Sequence, residues 1–274
     1  MRLRIARFLV AILFGIGLGI LFPWSTSSPA KITVTGELGA PVTVISSGNE
    51  LKNDFVRTEF AGQGRTIIPG SQVLFSATSF DLATGALSAV NNSGKLQALS
   101  ATEENLGELY QAVIGVKEGS RVLATFTRSV HTEVVVIDIL PTIATGEKET
   151  ATVRPQGFTY SEDSFGRPVV RGKSTVGNEL SVQILRSGSG IQLTASDQVI
   201  GNYRMFDPNG KILDDTWNRN APVKVTMSQV YPGLHDGLLD QRVGSRVALE
   251  IPARLAQGKE AAFVVFDILG VVNA

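Results

Sequence analysis

Cysteine is absent from the sequence, which excludes disulfide bonds, thiol catalysis, thiolate metal sites and a lipid-modified N-terminal cysteine. Histidine is scarce: His131 and His235 are the only two, and neither lies in an HExxH motif or another metal-ligand spacing. Charged residues make up only 18% of the chain, and 25 basic residues balance 25 acidic ones. This balance of charge therefore predicts neither a nucleic-acid partner nor an acidic one. Without cysteine, and with two isolated histidines, we also expect neither a metal nor a cofactor.

Glycine and β-branched residues are plentiful, which favours a sheet protein with many turns. One segment with glycine turns and β-branched runs occurs twice, at 117–140 and at 242–269. Each copy begins at a Gly-Ser-Arg-Val turn, continues through an apolar strand and a variable insert, and ends on a β-branched strand with Asp-Ile-Leu. A fixed-order match of this length predicts that the 274 residues contain the same small domain twice.

The N-terminus has the order of an export signal. Arg2, Arg4 and Arg7 precede an uncharged apolar run over 8–22, and small or polar residues follow up to Ala30. We expect residues 1–30 to be a cleaved signal peptide or a retained signal anchor that holds the chain to the membrane through 8–22. In both cases the rest of the chain is predicted to be extracytoplasmic, either secreted or anchored to the cell membrane.

The remaining chain divides into two predicted α+β domains, each an antiparallel sheet with one short helix packed on it. We place a first domain at 31–141, a linker and lead-in at 142–177, and a second domain at 178–274. The helices are predicted at 105–113 and 233–240, because leucine and valine recur there at helical spacing.

A set of short motifs runs through nearly the whole second copy in a fixed order. These are Gly188–Gly190, Tyr203, Asn209–Lys211, Leu213–Asp214, Val230–Leu234, Gly237–Leu238, Val243–Val247, Ile251–Pro252 and Phe263–Leu269. Through these residues the second copy resembles the FKBP-type peptidyl-prolyl cis-trans isomerases. The first copy resembles the family only over 62–88, 117–122 and its final strand, as a degenerate relative would.

This resemblance implies a substrate site for an X–Pro peptide, with no metal and no cofactor. It assigns catalytic roles to Tyr203, Asp214 and Tyr231, the last through its backbone. It assigns substrate binding to Leu213, Val223, Val230, Leu234, Gln257 and Val264.

The sequence departs from the family pattern in the pocket. Leu234 stands where the family has tryptophan, Gln257 stands where a loop tyrosine is usual, and the loop between Pro252 and Phe263 is short. In the first copy, Ala77 and Ser88 occupy the places of Tyr203 and Asp214, so no catalysis is expected there.

Two functions are compatible with these residues. One is prolyl isomerisation in unfolded or folding client proteins outside the cytoplasm, and the other is a non-catalytic chaperone or protein-interaction module with the same fold.

Overall fold

The computed structural model of the protein describes residues 31–47, 51, 53–88, 94–129, 131–149, 157–173, 176–256 and 260–272. The predicted signal at 1–30 and the predicted binding residue Gln257 lie outside these residues. Over the residues described, no helix has both the length and the apolar character needed to cross a membrane.

The first half of the described chain forms a hairpin and a five-stranded antiparallel sheet with strand order β3-β6-β7-β4-β5. Two short helices joined by a 3₁₀ turn at Gly107–Leu109 pack on this sheet. The strands are β1 (Lys31–Thr35), β2 (Thr43–Ser47), β3 (Val56–Phe60), β4 (Gln72–Asp81), β5 (Leu96–Ser100), β6 (Ser120–Thr127) and β7 (Thr132–Leu140), and the helices are α1 (Glu103–Leu106) and α2 (Tyr110–Val113).

The second half forms a seven-stranded sheet with order β13-β12-β16-β15-β11-β8, in which β14 also pairs with β12. A further hairpin, β9-β10, packs on this sheet, and 3₁₀ turns lie at Met227–Gln229 and Ala253–Leu255. The elements are β8 (Glu147–Lys148), β9 (Phe158–Glu162), β10 (Pro168–Gly172), β11 (Ser181–Ser187), β12 (Gln198–Phe206), β13 (Ile212–Asp215), β14 (Val223–Thr226), α3 (Pro232–Leu238), β15 (Arg246–Ile251) and β16 (Ala262–Val272). The predicted α+β class of sheets with short helices is confirmed.

The repeated sequence segment has a physical counterpart in each sheet. Arg121 lies opposite Asp138 across β6 and β7, and Arg246 lies opposite Asp267 across β15 and β16. Both pairs are salt-bridged and almost fully buried. The Asp138 and Asp267 carboxylates also accept a backbone N–H, from Gly39 and Ala144 respectively. The Gly-Ser-Arg-Val and Asp-Ile-Leu ends are therefore alike because each supplies half of a buried ion pair.

The helical segments of the two halves present the predicted leucine and valine residues to their sheets. Leu234 and Leu238 are buried in the core beneath α3, as are the corresponding side chains of α1 and α2. Close approach of α3 requires glycine at Gly237, because a Cβ there would lie 2.6 Å from Leu249 Cδ2. The predicted helix faces are confirmed.

The stretch between the two halves is more structured than the sequence pattern indicates. Ala144 is buried, Glu147–Lys148 joins the seven-stranded sheet, and the hairpin of 158–172 covers the face of that sheet opposite α3. Phe158 and Val170 of the hairpin form a second apolar core with Phe263. The short alternating runs of this stretch gain their stability from that packing, which composition alone does not reveal.

The two sheets contact each other through a buried polar bridge. Gln72 Nε2 donates to the Thr216 carbonyl at 2.9 Å, and Gln72 Oε1 accepts from Asn202 Nδ2 at 2.9 Å. Leu74, Ile200 and Leu269 form an apolar cluster beside it. The first half of the chain thus supports the strand that carries Tyr203.

Candidate functional site

Most of the predicted site residues lie together in the core cluster between α3 and the seven-stranded sheet. They come from β12, β14, the segment that leads into α3, α3 itself and β16, so the sheet and the helix position them jointly. Leu234 and Val264 are buried at the base, and the others are half-buried. The members of the prediction that share this cluster are Tyr203, Val223, Val230, Tyr231, Leu234 and Val264.

Tyr203 lies on the middle of β12, directly opposite Phe266 of β16. The two rings are stacked, with centroids 6.0 Å apart and planes 8° from parallel. Gly201 makes room for the Phe266 ring, because a Cβ on Gly201 would lie 2.2 Å from Phe266 Cε1. Phe266 was missing from the predicted site, although the alternation of β16 places it on the same face as Val264.

Asp214 forms the polar end of the site. The Tyr203 hydroxyl donates to Asp214 Oδ2, and Arg219 Nη1 donates to Asp214 Oδ1 at 2.5 Å. Burial alone would raise the pKa of Asp214, but hydrogen bonds from Tyr203 and Arg219 outweigh it and lower that pKa below its ordinary value. The carboxylate therefore stays ionised at neutral pH.

The pKa of Tyr203 moves in the opposite direction. Burial raises it, and the hydrogen bond to the Asp214 carboxylate raises it further. Arg219 was not predicted as part of this group, because it lies in an exposed turn five positions beyond Asp214 and belongs to no sequence motif.

Tyr231 lies at the N-terminus of α3. Its carbonyl accepts the backbone N–H groups of Leu234 and His235, each at 3.1 Å, and so begins the helix. Burial raises the pKa of the Tyr231 hydroxyl to about 12, with a further contribution from the nearby Tyr203. The phenol is therefore neutral and forms part of the apolar wall.

Leu213 is the predicted binding residue that lies apart from this cluster. It occupies a bulge of β13, where the pairing with β12 shifts between Met205 and Phe206, and 53% of its surface is exposed. Its binding role, like that of Gln257, stays a prediction.

The register of the two sheets supports the correspondence between the copies. Ala77 lies opposite Ile137 in the first sheet, as Tyr203 lies opposite Phe266 in the second. The first sheet therefore has the strand framework at this point without the tyrosine.

Comparison with known proteins gives a family match in the second half of the chain. The family model for FKBP-type peptidyl-prolyl cis-trans isomerase matches residues 190–268. The chain is 32% identical over 113 residues to the FKBP-type peptidyl-prolyl cis-trans isomerase FkpA of Escherichia coli strain K12, which covers 41% of each chain. It is 29% identical over 91 residues to the peptidyl-prolyl cis-trans isomerase Mip of Coxiella burnetii, covering 33% of this chain and 40% of Mip.

The crystal structure of FkpA from Escherichia coli aligns with a TM-score of 0.34 and 26% identity, over 43% of this chain and 53% of that chain. The match spans about two fifths of the length of the curated relatives. Over residues 190–268, the chain is therefore similar to the FKBP-type peptidyl-prolyl cis-trans isomerases.

Proposed function

We propose that this protein catalyses cis-trans isomerisation of X–Pro peptide bonds at the hollow between α3 and the seven-stranded sheet. The observation that carries the proposal is the combination of an apolar wall with one ionised carboxylate: Tyr203, Phe266 and Val264 on the sheet, with Asp214 held at the edge.

The chemistry needs no nucleophile or proton transfer. Rotation about the peptide bond is opposed by amide resonance, with a barrier of ~18–20 kcal/mol. At X–Pro the two isomers are close in energy but interconvert over roughly tens to hundreds of seconds. Resonance makes the planar amide more polar than the twisted one, so a water-poor apolar surface favours the twisted transition state.

The residues of the site would divide this task. Val223, Val230 and Leu234 would surround the proline ring, while the stacked Tyr203 and Phe266 exclude water from one side. Asp214, fixed by Tyr203 and Arg219, would orient the peptide by accepting an N–H of the substrate.

Isomerisation of a proline-containing model peptide by the full chain tests this proposal, with the Tyr203→Ala/Asp214→Ala double variant as the comparison. We expect acceleration by the unchanged chain and a loss of most of it in the double variant. Asp236→Ala is the matched control, since it removes an exposed carboxylate of α3 whose recorded partner is the neighbouring His235. Absence of acceleration by the unchanged chain refutes the enzyme function for that substrate.

We also propose that the five-stranded sheet is a non-catalytic FKBP-like domain. Its strand order β3-β6-β7-β4-β5 corresponds to the part β11-β15-β16-β12-β14 of the second sheet. Its buried Arg121–Asp138 pair is retained, and Ala77 and Ser88 stand in the places of Tyr203 and Asp214. Such a domain suits a scaffold or client-binding role. The chaperone alternative for the whole chain is tested by the same double variant: unchanged suppression of client aggregation would locate that activity outside the hollow.

The location outside the cytoplasm and the class of client are part of this proposal. The basic and apolar order of residues 1–30 supports export, and unfolded or slowly folding proteins there would supply the X–Pro substrates. The N-terminal sequence of the mature protein decides between cleavage and retention of the anchor, because a start at Lys31 rules out anchoring through 8–22.

A further inference from the structure

A cavity lies on the face of the seven-stranded sheet opposite α3, beneath the hairpin β9-β10. Phe263 lines it, whereas the adjacent Val264 lies in the core cluster beneath α3, because neighbouring side chains of a strand point to opposite faces. The volume is about 250 Å³. Its floor is apolar, formed mainly by Phe158, Val170, Leu185, Ala248 and Phe263.

Gln183 of β11 lines this cavity, and the environment of its side-chain amide is unusual. Both Nε2 and Oε1 are buried, and neither has a hydrogen-bond partner among the described residues. By contrast, the buried amide of Gln72 is satisfied at both its nitrogen and its oxygen. A buried amide without partners is costly, so Gln183 favours a ligand that presents a donor and an acceptor together. A peptide group is such a ligand.

The backbone beside Gln183 lies at the edge of the sheet as far as the described residues go. Within the residues that the structure describes, β8 pairs with β11 at Arg186 and Ser187, which leaves Ser181–Ile184 as the outer edge of the sheet. Val182 and Ile184 on this edge are 41% and 39% exposed. An edge with unpaired N–H and C=O groups is a template for another strand.

The size of the cavity separates two kinds of ligand. Sites for whole small-molecule ligands usually measure about 300–1,000 Å³, which is larger than this cavity. A volume of about 250 Å³ suits one large apolar side chain together with part of the backbone that carries it.

We propose that Ser181–Ile184 and this cavity form a second polypeptide-binding site, at which an extended segment of a client adds to the edge of β11. One apolar side chain of the client fills the cavity over Phe263, and the peptide group beside it pairs with the Gln183 amide. The site does not require proline, so its occupancy is independent of the isomerase hollow.

Binding of proline-free peptides to the full chain tests this inference. The probes are fluorescein-labelled peptides of about six residues, a typical strand length, with Val, Leu or Phe alternating with Thr and with lysine at the ends. Fluorescence anisotropy gives the dissociation constant. We expect Gln183→Leu to weaken binding by roughly tenfold or more, in line with the loss of two hydrogen bonds, and to raise the melting temperature of the free protein.

Gln192→Leu is the matched control, since its exposed amide donates to Asp240 away from the cavity and its loss should leave peptide binding unchanged. Val182→Lys places a charge on the edge and should weaken binding without removing Gln183, which keeps the test valid if Gln183→Leu fails to fold. Ile45→Lys, at an exposed apolar position of β2, controls for the added charge.

Hydrogen exchange locates the bound peptide. Slower exchange at the amides of Ser181–Ile184 on peptide addition supports strand addition. Full protection of these amides without peptide, unchanged affinity in Gln183→Leu and Val182→Lys, or no binding by any probe overturns the inference. If N-acetylleucinamide binds as tightly as the six-residue peptides, strand addition is overturned, because that probe is too short to extend along the edge.

Discussion

Replacement of Asp267 by alanine tests how the repeated segment holds the seven-stranded sheet together. Asp267 and Arg246 both have 0% exposed side chains, and Arg246 Nη2 donates to Asp267 Oδ2 at 2.6 Å. Asp267→Ala leaves the guanidinium in the interior without its main counter-charge. Removing one partner of a buried pair costs about 3–5 kcal/mol, because the remaining charge is uncompensated.

Two further contacts adjust this magnitude. The Ala144 N–H, which donates to Asp267 Oδ2 at 2.8 Å, loses its acceptor, and an unpaired buried group costs about 1–3 kcal/mol. In the opposite direction, Arg246 Nη1 keeps Glu162 Oε1 at 3.0 Å as a second carboxylate. We expect Asp267→Ala to lower the free energy of unfolding by about 4 kcal/mol, a large part of the 5–15 kcal/mol typical of a domain.

The Glu162 carboxylate, which remains beside Arg246, allows a more specific test of this ion pair. In the Asp267→Ala background, Glu162→Gln removes the other negative charge beside Arg246, so its cost there should exceed its cost in the unchanged protein by about 0.5–3 kcal/mol. Urea unfolding followed by circular dichroism measures all four members of this cycle.

The equivalent pair in the first sheet is the control. Asp138→Ala breaks the bond to Arg121, whose other partners are the carbonyls of Gly36 and Glu37, so Glu162→Gln should be additive in that background. If Glu162→Gln costs the same in the Asp267→Ala background as in the unchanged protein, the reasoning about Arg246 is wrong.

Three further outcomes are expected. Gly237→Ala should lower the free energy of unfolding by about 1 kcal/mol, since overpacking against the buried Leu249 outweighs the gain in helix propensity. Gln72→Leu should lower it by about 2 kcal/mol, because it leaves the Asn202 amide and the Thr216 carbonyl with fewer partners. Burial would raise the pKa of Glu162, but hydrogen bonds from Arg186, Lys148 and Tyr160 outweigh it and lower that pKa from 4.5 to about 2. Its ionised form therefore stabilises the fold above about pH 4.5, and this contribution should be lost as the pH falls from there towards 2.

Urea unfolding measures each of these outcomes, at several pH values for the last. Asp236→Ala on the exposed side of α3 and Gln63→Leu at an exposed position should cause little change. An equal or greater stability of Gly237→Ala or Gln72→Leu contradicts the packing on which each prediction rests. If the free energy of unfolding of Glu162→Gln falls between about pH 4.5 and 2 as steeply as that of the unchanged protein, the loss cannot be assigned to Glu162.

Features that depend on local spacing could be predicted from the sequence. Alternation and glycine turns predicted the strands, and leucine spacing predicted the helix faces that bury Leu234 and Leu238. Residue-by-residue resemblance brought together Tyr203, Val230 and Val264, which share one cluster in the structure. Leu213 shows the limit of that approach, because a bulge in β13 shifts the register beside it and side-chain exposure follows register.

By itself, the sequence determined what this chain lacks and what it repeats: no disulfide can form without cysteine, and the Gly-Ser-Arg-Val and Asp-Ile-Leu ends recur in fixed order. Only the tertiary structure decided that the arginine and aspartate of those ends form a buried ion pair and that Arg219 holds Asp214. It also decided that Gln183 faces a cavity with no hydrogen-bond partner in the described part of the chain. These contacts join residues whose distance depends on strand register and on which sheet face is covered. Both are set by packing of the whole sheet, so no local pattern encodes them.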